Sequence, residues 1–243
     1  MSPESYYAGC YWGERAEPMK ACAQHAALLF DGLRQLDPSF ARWFEKAYSR
    51  KKALELQFEP SEDGFLKLLS RKQYQFAPST FSFDSWNGLP EDESSGVSFF
   101  CGVTNSSLVG SCVVDLPYQE STVAQRILTT HQMAELLRLL AVAWAPEWGV
   151  ATSLDLTELL KNENEEGFTG WITYFARGRG ELPPLPAPCR VEPVGERGSL
   201  IVLTPERFTV SNPAHVELAS EVQLRLRDAG LIRPRPRPVP PPA

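Results

Sequence analysis

Histidine and cysteine are scarce, three and five in 243 residues. Three histidines leave little material for a metal centre or a general base. Five cysteines, an odd number in a chain long enough to bury its own core, neither imply nor need a disulfide framework, and the reading is a reducing compartment, the cytoplasm. No apolar run reaches the roughly 18 residues of a membrane-spanning helix, and the opening MSPESYYAGCYWGERAEP has neither a basic start nor a continuous apolar stretch. No membrane partner and no export signal is expected. Positive charge is short as well: the net charge is -6, and leaving out Arg233, Arg235 and Arg237 of the carboxyl-terminal tail takes the rest to -9. An acidic body argues against direct contact with nucleic acid and suits a basic partner.

The short catalytic signatures are missing too. There is no G-x-S-x-G elbow, no H-E-x-x-H and no G-x-x-x-x-G-K-[ST] phosphate loop. Gly178 and Gly180 form a G-x-G, but Pro183 and Pro184 follow where a dinucleotide-binding motif needs a helix. A restriction-endonuclease centre wants an acidic or amide residue two positions before a lysine, and none of the seven lysines has one. Cys22 and His25 are spaced C-x-x-H on one predicted helix, without a second ligand pair at metal spacing, so they read as a buried thiol beside a flanking histidine. His215 reads as a hydrogen-bonded core histidine. No catalytic residue, metal or cofactor is expected.

What is present is the composition of a folded globule, 43% apolar, 11% aromatic and 22% charged. Ser5–Gly13 reads as an opening strand rich in Tyr and Trp. Pro18 then starts an amphipathic helix with Met19, Cys22, Ala26, Leu29, Leu33 and Leu36 on one face. A short second helix is predicted from Asp37 and Pro38 through Phe40, Trp43 and Phe44, and a third capped by Ser61. Thr80–Trp86, Gly96–Val103 and Leu108–Leu116 read as an antiparallel meander joined by short turns, in which Cys101 and Cys112 are candidate cross-strand neighbours. Thr129 with Gln132 is a capping-box pattern opening the most apolar helix, whose polar face holds His131, Glu135 and Arg138.

Trp148–Leu156 and Gly170–Ala176 read as further strands, and a hairpin turns near Gly195–Gly198. Asn212 and Pro213 open a last helix, although VQLRLR also alternates like a strand. There is no internal repeat. The expected architecture is α+β, a mainly antiparallel sheet with helices packed on it, as one domain over residues 1–232 with a Pro-rich crossing at 182–188. The tail at 233–243, RPRPRPVPPPA, is expected to be extended, solvated and outside the fold.

The motifs YYAGCYWG (6–13), LDPSFARWF (36–44), SWNG (85–88), GVSFFCG (96–102), AWAPEWG (143–149) and GWITYFA (170–176) together resemble the immunity protein 52 family of bacterial polymorphic-toxin systems. These are aromatic landmarks of a fold, and no enzymatic residue comes with them. The resemblance implies an antitoxin of interbacterial competition and type VI secretion. Such a protein binds a cognate toxin encoded beside it, often one with a restriction-endonuclease-like nuclease domain. The acidic, motif-free composition agrees, because a nuclease must present positive charge to phosphates.

Two acidic segments in predicted loops are the candidate toxin contacts: Glu91, Asp92 and Glu93 in one, Glu163, Glu165 and Glu166 in the other. Both are expected to be exposed. Tyr118, Trp12 and Trp148 are candidate aromatic anchors, with core packing the competing fate of the tryptophans. The rival class is an enzyme or small-ligand protein using a pocket over the sheet.

Overall fold

The computed structural model describes residues 4–235. Six of the seven residues of β1 (Tyr6–Trp12) are buried, and the strand lies in the middle of the sheet between β7 (Gly110–Asp115) and β8 (Trp148–Ser153), antiparallel to both. Past β7 come β6 (Gly96–Cys101), β5 (Thr80–Trp86), β2 (Trp43–Glu45) and β3 (Gln57–Phe58), with β4 (Gln75–Ala77) also on β5. Past β8 come β10 (Ile172–Ala176), β12 (Gly198–Val202) and β11 (Arg190–Val194). All pairings in this eleven-stranded sheet are antiparallel. The meander and the α+β class are as the sequence patterns require.

Strand register gives the sheet two chemically different faces. One row of the inner face runs Ser85, Val97, Val114, Ala8, Ala151, Ile172, and the next Phe83, Phe99, Cys112, Cys10, Gly149, Tyr174. Against it lie α1 (Met19–Leu36), α3 (Glu62–Leu69) and α5 (Thr130–Trp144). Helix α5 buries nine of its fifteen residues, more than any other helix. Each of its wholly buried leucines contributes about 2 kcal/mol. Thr129 caps it by accepting from the Gln132 N–H at 3.3 Å. Its polar face ties to the sheet edge, where Arg138 meets Glu135, Glu192 and the Pro193 carbonyl at 2.7–3.1 Å.

On the outer face, α6 (Leu154–Leu160) follows directly from β8, and Thr157 meets the Tyr7 hydroxyl at 3.0 Å. Helix α7 (Pro213–Asp228) packs beside it, its Gln223 bridging the Leu160 carbonyl and the Thr169 N–H. The Pro-rich crossing is held on α7 by Arg225, which donates to the Pro184 carbonyl at 2.9 Å. His215 is a core histidine, its Nδ1 accepting from the Thr209 N–H at 3.1 Å and its Nε2 facing Glu206 at 3.1 Å.

Several expectations are corrected. The helix predicted from Asp37 to Phe44 is only a 3-10 turn over Pro38–Phe40, because Phe44 and Glu45 pair with Trp86 and Ser85 of β5. The strand predicted to Leu156 stops at Ser153, whose hydroxyl accepts from the Leu156 N–H and caps α6. The strand alternative for VQLRLR fails, since it lies inside α7. Cys101 is not opposite Cys112, which pairs with Phe99 on one side and Cys10 on the other. All five cysteines are free thiols.

The tail boundary is corrected as well. Arg233–Pro234 form a strand, β13, antiparallel to β9 (Glu165–Glu166). Arg235 continues the contact, its N–H donating to the Asn164 carbonyl at 2.7 Å and its Nε to the Glu165 carbonyl at 3.0 Å. Backbone pairing explains this, because Arg233 and Arg235 keep the N–H groups that the intervening proline lacks. The rest of the tail, 236–243, lies outside the described residues.

Asp37 links the first turn to α4 (Thr122–Ile127), taking both prongs of Arg126 at 2.9 and 3.0 Å while accepting from the Ser39 N–H. Burial pushes its carboxyl pKa up, but the Arg126 and Ser39 hydrogen bonds and the Arg126 charge outweigh that and leave it lowered. A carboxyl more acidic folded than unfolded stabilises the fold above its unfolded pKa, and that gain disappears as pH falls through the folded pKa. Asp37→Asn should therefore cost about 1 kcal/mol at pH 7, a small figure because Arg126 is half-exposed. The difference from wild type should shrink in urea melts as pH falls below the ordinary aspartate range and through the lowered folded pKa.

Candidate partner-binding surface

The outer face between β7 and β5 is an open cleft of about 550 Å³. Its floor is one sheet row, Trp86, Gly96, Asp115. Gly96 matters here, because a Cβ would meet the Asp115 Oδ2 at 3.3 Å. The residue between the indole and the carboxylate is thus a gap and not a side chain. Leu89, Leu116 and Tyr118 supply apolar wall, and Lys46, Arg50 and Glu91 supply charge. No histidine or cysteine lines it.

The SWNG motif builds the wall. Asn87 is buried, donates to the Ser39 carbonyl at 3.2 Å and accepts from the N–H groups of Leu89 and Ser95 at 3.3 and 3.0 Å, closing the 87–95 loop on itself. Gly88 takes φ +81 against the Phe44 ring, a conformation that side chains resist. So pinned, Glu91–Glu93 form a single 3-10 turn at the cleft mouth. Glu93 accepts from the Thr122 hydroxyl at 2.8 Å and the Asp92 carbonyl from the Tyr118 N–H at 3.1 Å. The Glu91 and Asp92 carboxylates make no ion pair or hydrogen bond with described residues. Of the two predicted acidic segments, this is the one at a cleft.

The second segment is not the free acidic loop that was expected. Glu163 is exposed, but Glu165 is mostly covered and held by both prongs of Arg227 at 2.7 and 2.9 Å. Beside it Arg179, buried under the tail, donates to the Leu231 and Glu166 carbonyls at 2.8 and 3.0 Å. Desolvation lowers the Arg179 pKa, with Glu166 and Glu147 opposing. These carboxylates answer arginines of the chain itself, Glu165 one that lies 62 positions away and Glu166 one that lies 13 away, separations that leave no local pattern.

The aromatic candidates separate likewise. Trp12 is buried, stacked on Trp144 at 5.2 Å. Trp148 is half-buried and stacks on Tyr11 at 4.5 Å. Tyr118 stands exposed on the cleft rim. Tyr48, missed from the sequence, is 92% exposed between the cleft-lining Ala47 and Ser49. Trp86 and Asp115 were also missed, although SWNG marked the first. Cys22 is buried and His25 pairs with Glu17 at 2.9 Å. Among the described residues no three His, Cys, Asp or Glu side chains gather as metal ligands, and no helix is long and apolar enough to cross a membrane.

Exposed aromatics and unpaired carboxylates around a cleft, on a wide antiparallel sheet, mark an α+β protein with a surface suited to contact with another molecule. The sequence profile of the Immunity protein 52 family matches residues 4–235. The chain belongs to the immunity protein 52 family. A solved structure described as Pseudomonas aeruginosa T6SS protein PA0821 has the same fold, with a TM-score of 0.53 at 11% identity over 91% of this chain and 76% of that one. Among curated proteins no sequence matches.

Proposed function

We propose that this protein neutralises a cognate secreted toxin by stoichiometric binding in the cytoplasm of the producing cell, without catalysis, and that the toxin is a nuclease. Membership of an immunity family over residues 4–235 carries the reading. The net charge of -6 supports the nuclease part, because a phosphate-binding cleft is basic and opposite charge speeds capture. The structural neighbour is by its own description a T6SS protein, which favours a type VI effector as the toxin. Of the two acidic segments, Glu91–Glu93 is the contact, since its carboxylates at Glu91 and Asp92 are not spent inside the fold.

Co-expression with the toxin domain encoded next door should rescue growth and yield a complex of fixed stoichiometry on size exclusion with light scattering. Replacing Glu91, Asp92 and Glu93 together by Lys should slow association by about tenfold at low salt and less at high salt, with little change in melting. A wild-type chain that neither binds nor protects would remove the reading. Unaltered kinetics in the triple variant would remove only the role of this turn.

A further inference from the structure

Lys46 and Arg50 line the cleft beside Asp115 and Glu91, but among the described residues neither is ion-paired to these carboxylates. Lys46 answers Asp84 at 3.6 Å, and Arg50 lies over the Trp86 indole at 5.8 Å with only a 3.5 Å contact to the Gly88 carbonyl. Asp115 has neither an ion pair nor a hydrogen bond among the described residues, and Glu91 is in the same position. Two carboxylates therefore share an apolar-walled cleft without a cation committed to either. The Asp115 carboxyl keeps contact with solvent, yet surrounding protein raises its pKa, with Asp84 adding to the rise and Lys46 opposing it. Desolvation is the main cause, and of the two charge effects the larger is that of Lys46, which acts in the opposite sense.

We propose that the cleft is the seat of one basic side chain of the toxin, an arginine or lysine whose charged end meets Asp115 and Glu91 while its stem lies on Trp86 and Tyr118. The inference rests on the binding function proposed above. The gap at Gly96 provides the depth, and about 550 Å³ is ample for a long side chain. Arginine and lysine suit it because both carry an apolar stem that stays buried while the head is paired, and a guanidinium also stacks on an indole. Tyr48 and Tyr118 on the rim are residue types that dominate contact energies, which favours a protein-borne cation over a free one.

Two experiments test it. First, butylguanidinium chloride is titrated into the full-length protein by 1H–15N NMR. Shifts should centre on the Gly96 amide and the Trp86 indole N–H, and should be lost in the Asp115→Asn/Glu91→Gln variant. Shifts spread evenly over acidic surface, or unchanged in that variant, overturn the proposal. So does movement of these resonances in a variant ending at Arg235, which would make the chain's own tail the occupant.

Second, the same variant should melt like wild type but bind the toxin domain about tenfold or more weakly, through faster dissociation, whereas Glu163→Gln should bind normally. Full affinity in the cleft variant overturns the cleft assignment and leaves the antitoxin function standing. A wild-type chain that binds no toxin overturns both.

Discussion

Trp144→Ala should lower the unfolding free energy by about 3–5 kcal/mol, the cost of emptying the space of a large core aromatic. Trp144 is wholly buried at the end of α5, stacked on Trp12 of β1 at 5.2 Å and lying 5.3 Å from Phe99 of β6, so it joins the helix layer to two strands of the sheet. In a chain of this length each kcal/mol moves the melting temperature by about 2–4 °C, so a drop of about 10 °C is expected. Trp144→Phe keeps much of the volume and should recover more than half of the loss. Urea melts of both variants check this, and a loss under about 1 kcal/mol would mean that the site collapses around the truncation.

Glu165→Lys should destabilise the protein by about 2–3 kcal/mol, less than a fully buried pair because Arg227 still touches water. The new ammonium would face Arg227 where a carboxylate had bridged it at 2.7 and 2.9 Å, next to Arg235 and near Arg179 and Arg233. Loss of this pairing should also free β13, seen as faster amide hydrogen exchange at Arg233 and Arg235. Glu163→Lys, on an exposed residue of the same segment, should change stability by under about 0.5 kcal/mol. The contrast matters for function. Loss of protection by Glu165→Lys reports a loosened fold, whereas loss at Glu91–Glu93 with an unchanged melt reports a lost contact. Equal stability of Glu165→Lys and wild type would show that the tail strap contributes nothing.

Local pattern carried much of the fold. Periodicity at three and four residues placed α1 and α5, alternation with turn residues placed β5, β6 and β7, and Ser61 and Thr129 marked helix starts that their hydroxyls do cap. Where pattern failed, a distant partner won. Trp43 and Phe44 fit a helix face as well as a strand, and pairing with β5 decided it. Ser153 carried a capping signal that was masked by the apolar run it interrupts. For the candidate surface, SWNG was visible as a landmark, but its role was not. That role depends on Asn87 reaching Ser39 and on Trp86 sharing a sheet row with Asp115.

The sequence by itself determined the α+β class, the family through its aromatic landmarks, the acidity of the body and the types of most long elements. These follow from composition and from neighbours within a few positions, where helix and strand periods are written. Only the tertiary structure decided that β1 is a central strand, that Arg233–Arg235 belong to the fold, and that Glu165 and Glu166 are occupied while Glu91, Asp92 and Asp115 have no ion-pair partner among the described residues. A charge's partner and a strand's neighbour are distances across the folded chain. Carboxylates indistinguishable in sequence acquire opposite roles once packing brings an arginine to one and leaves another beside a cleft.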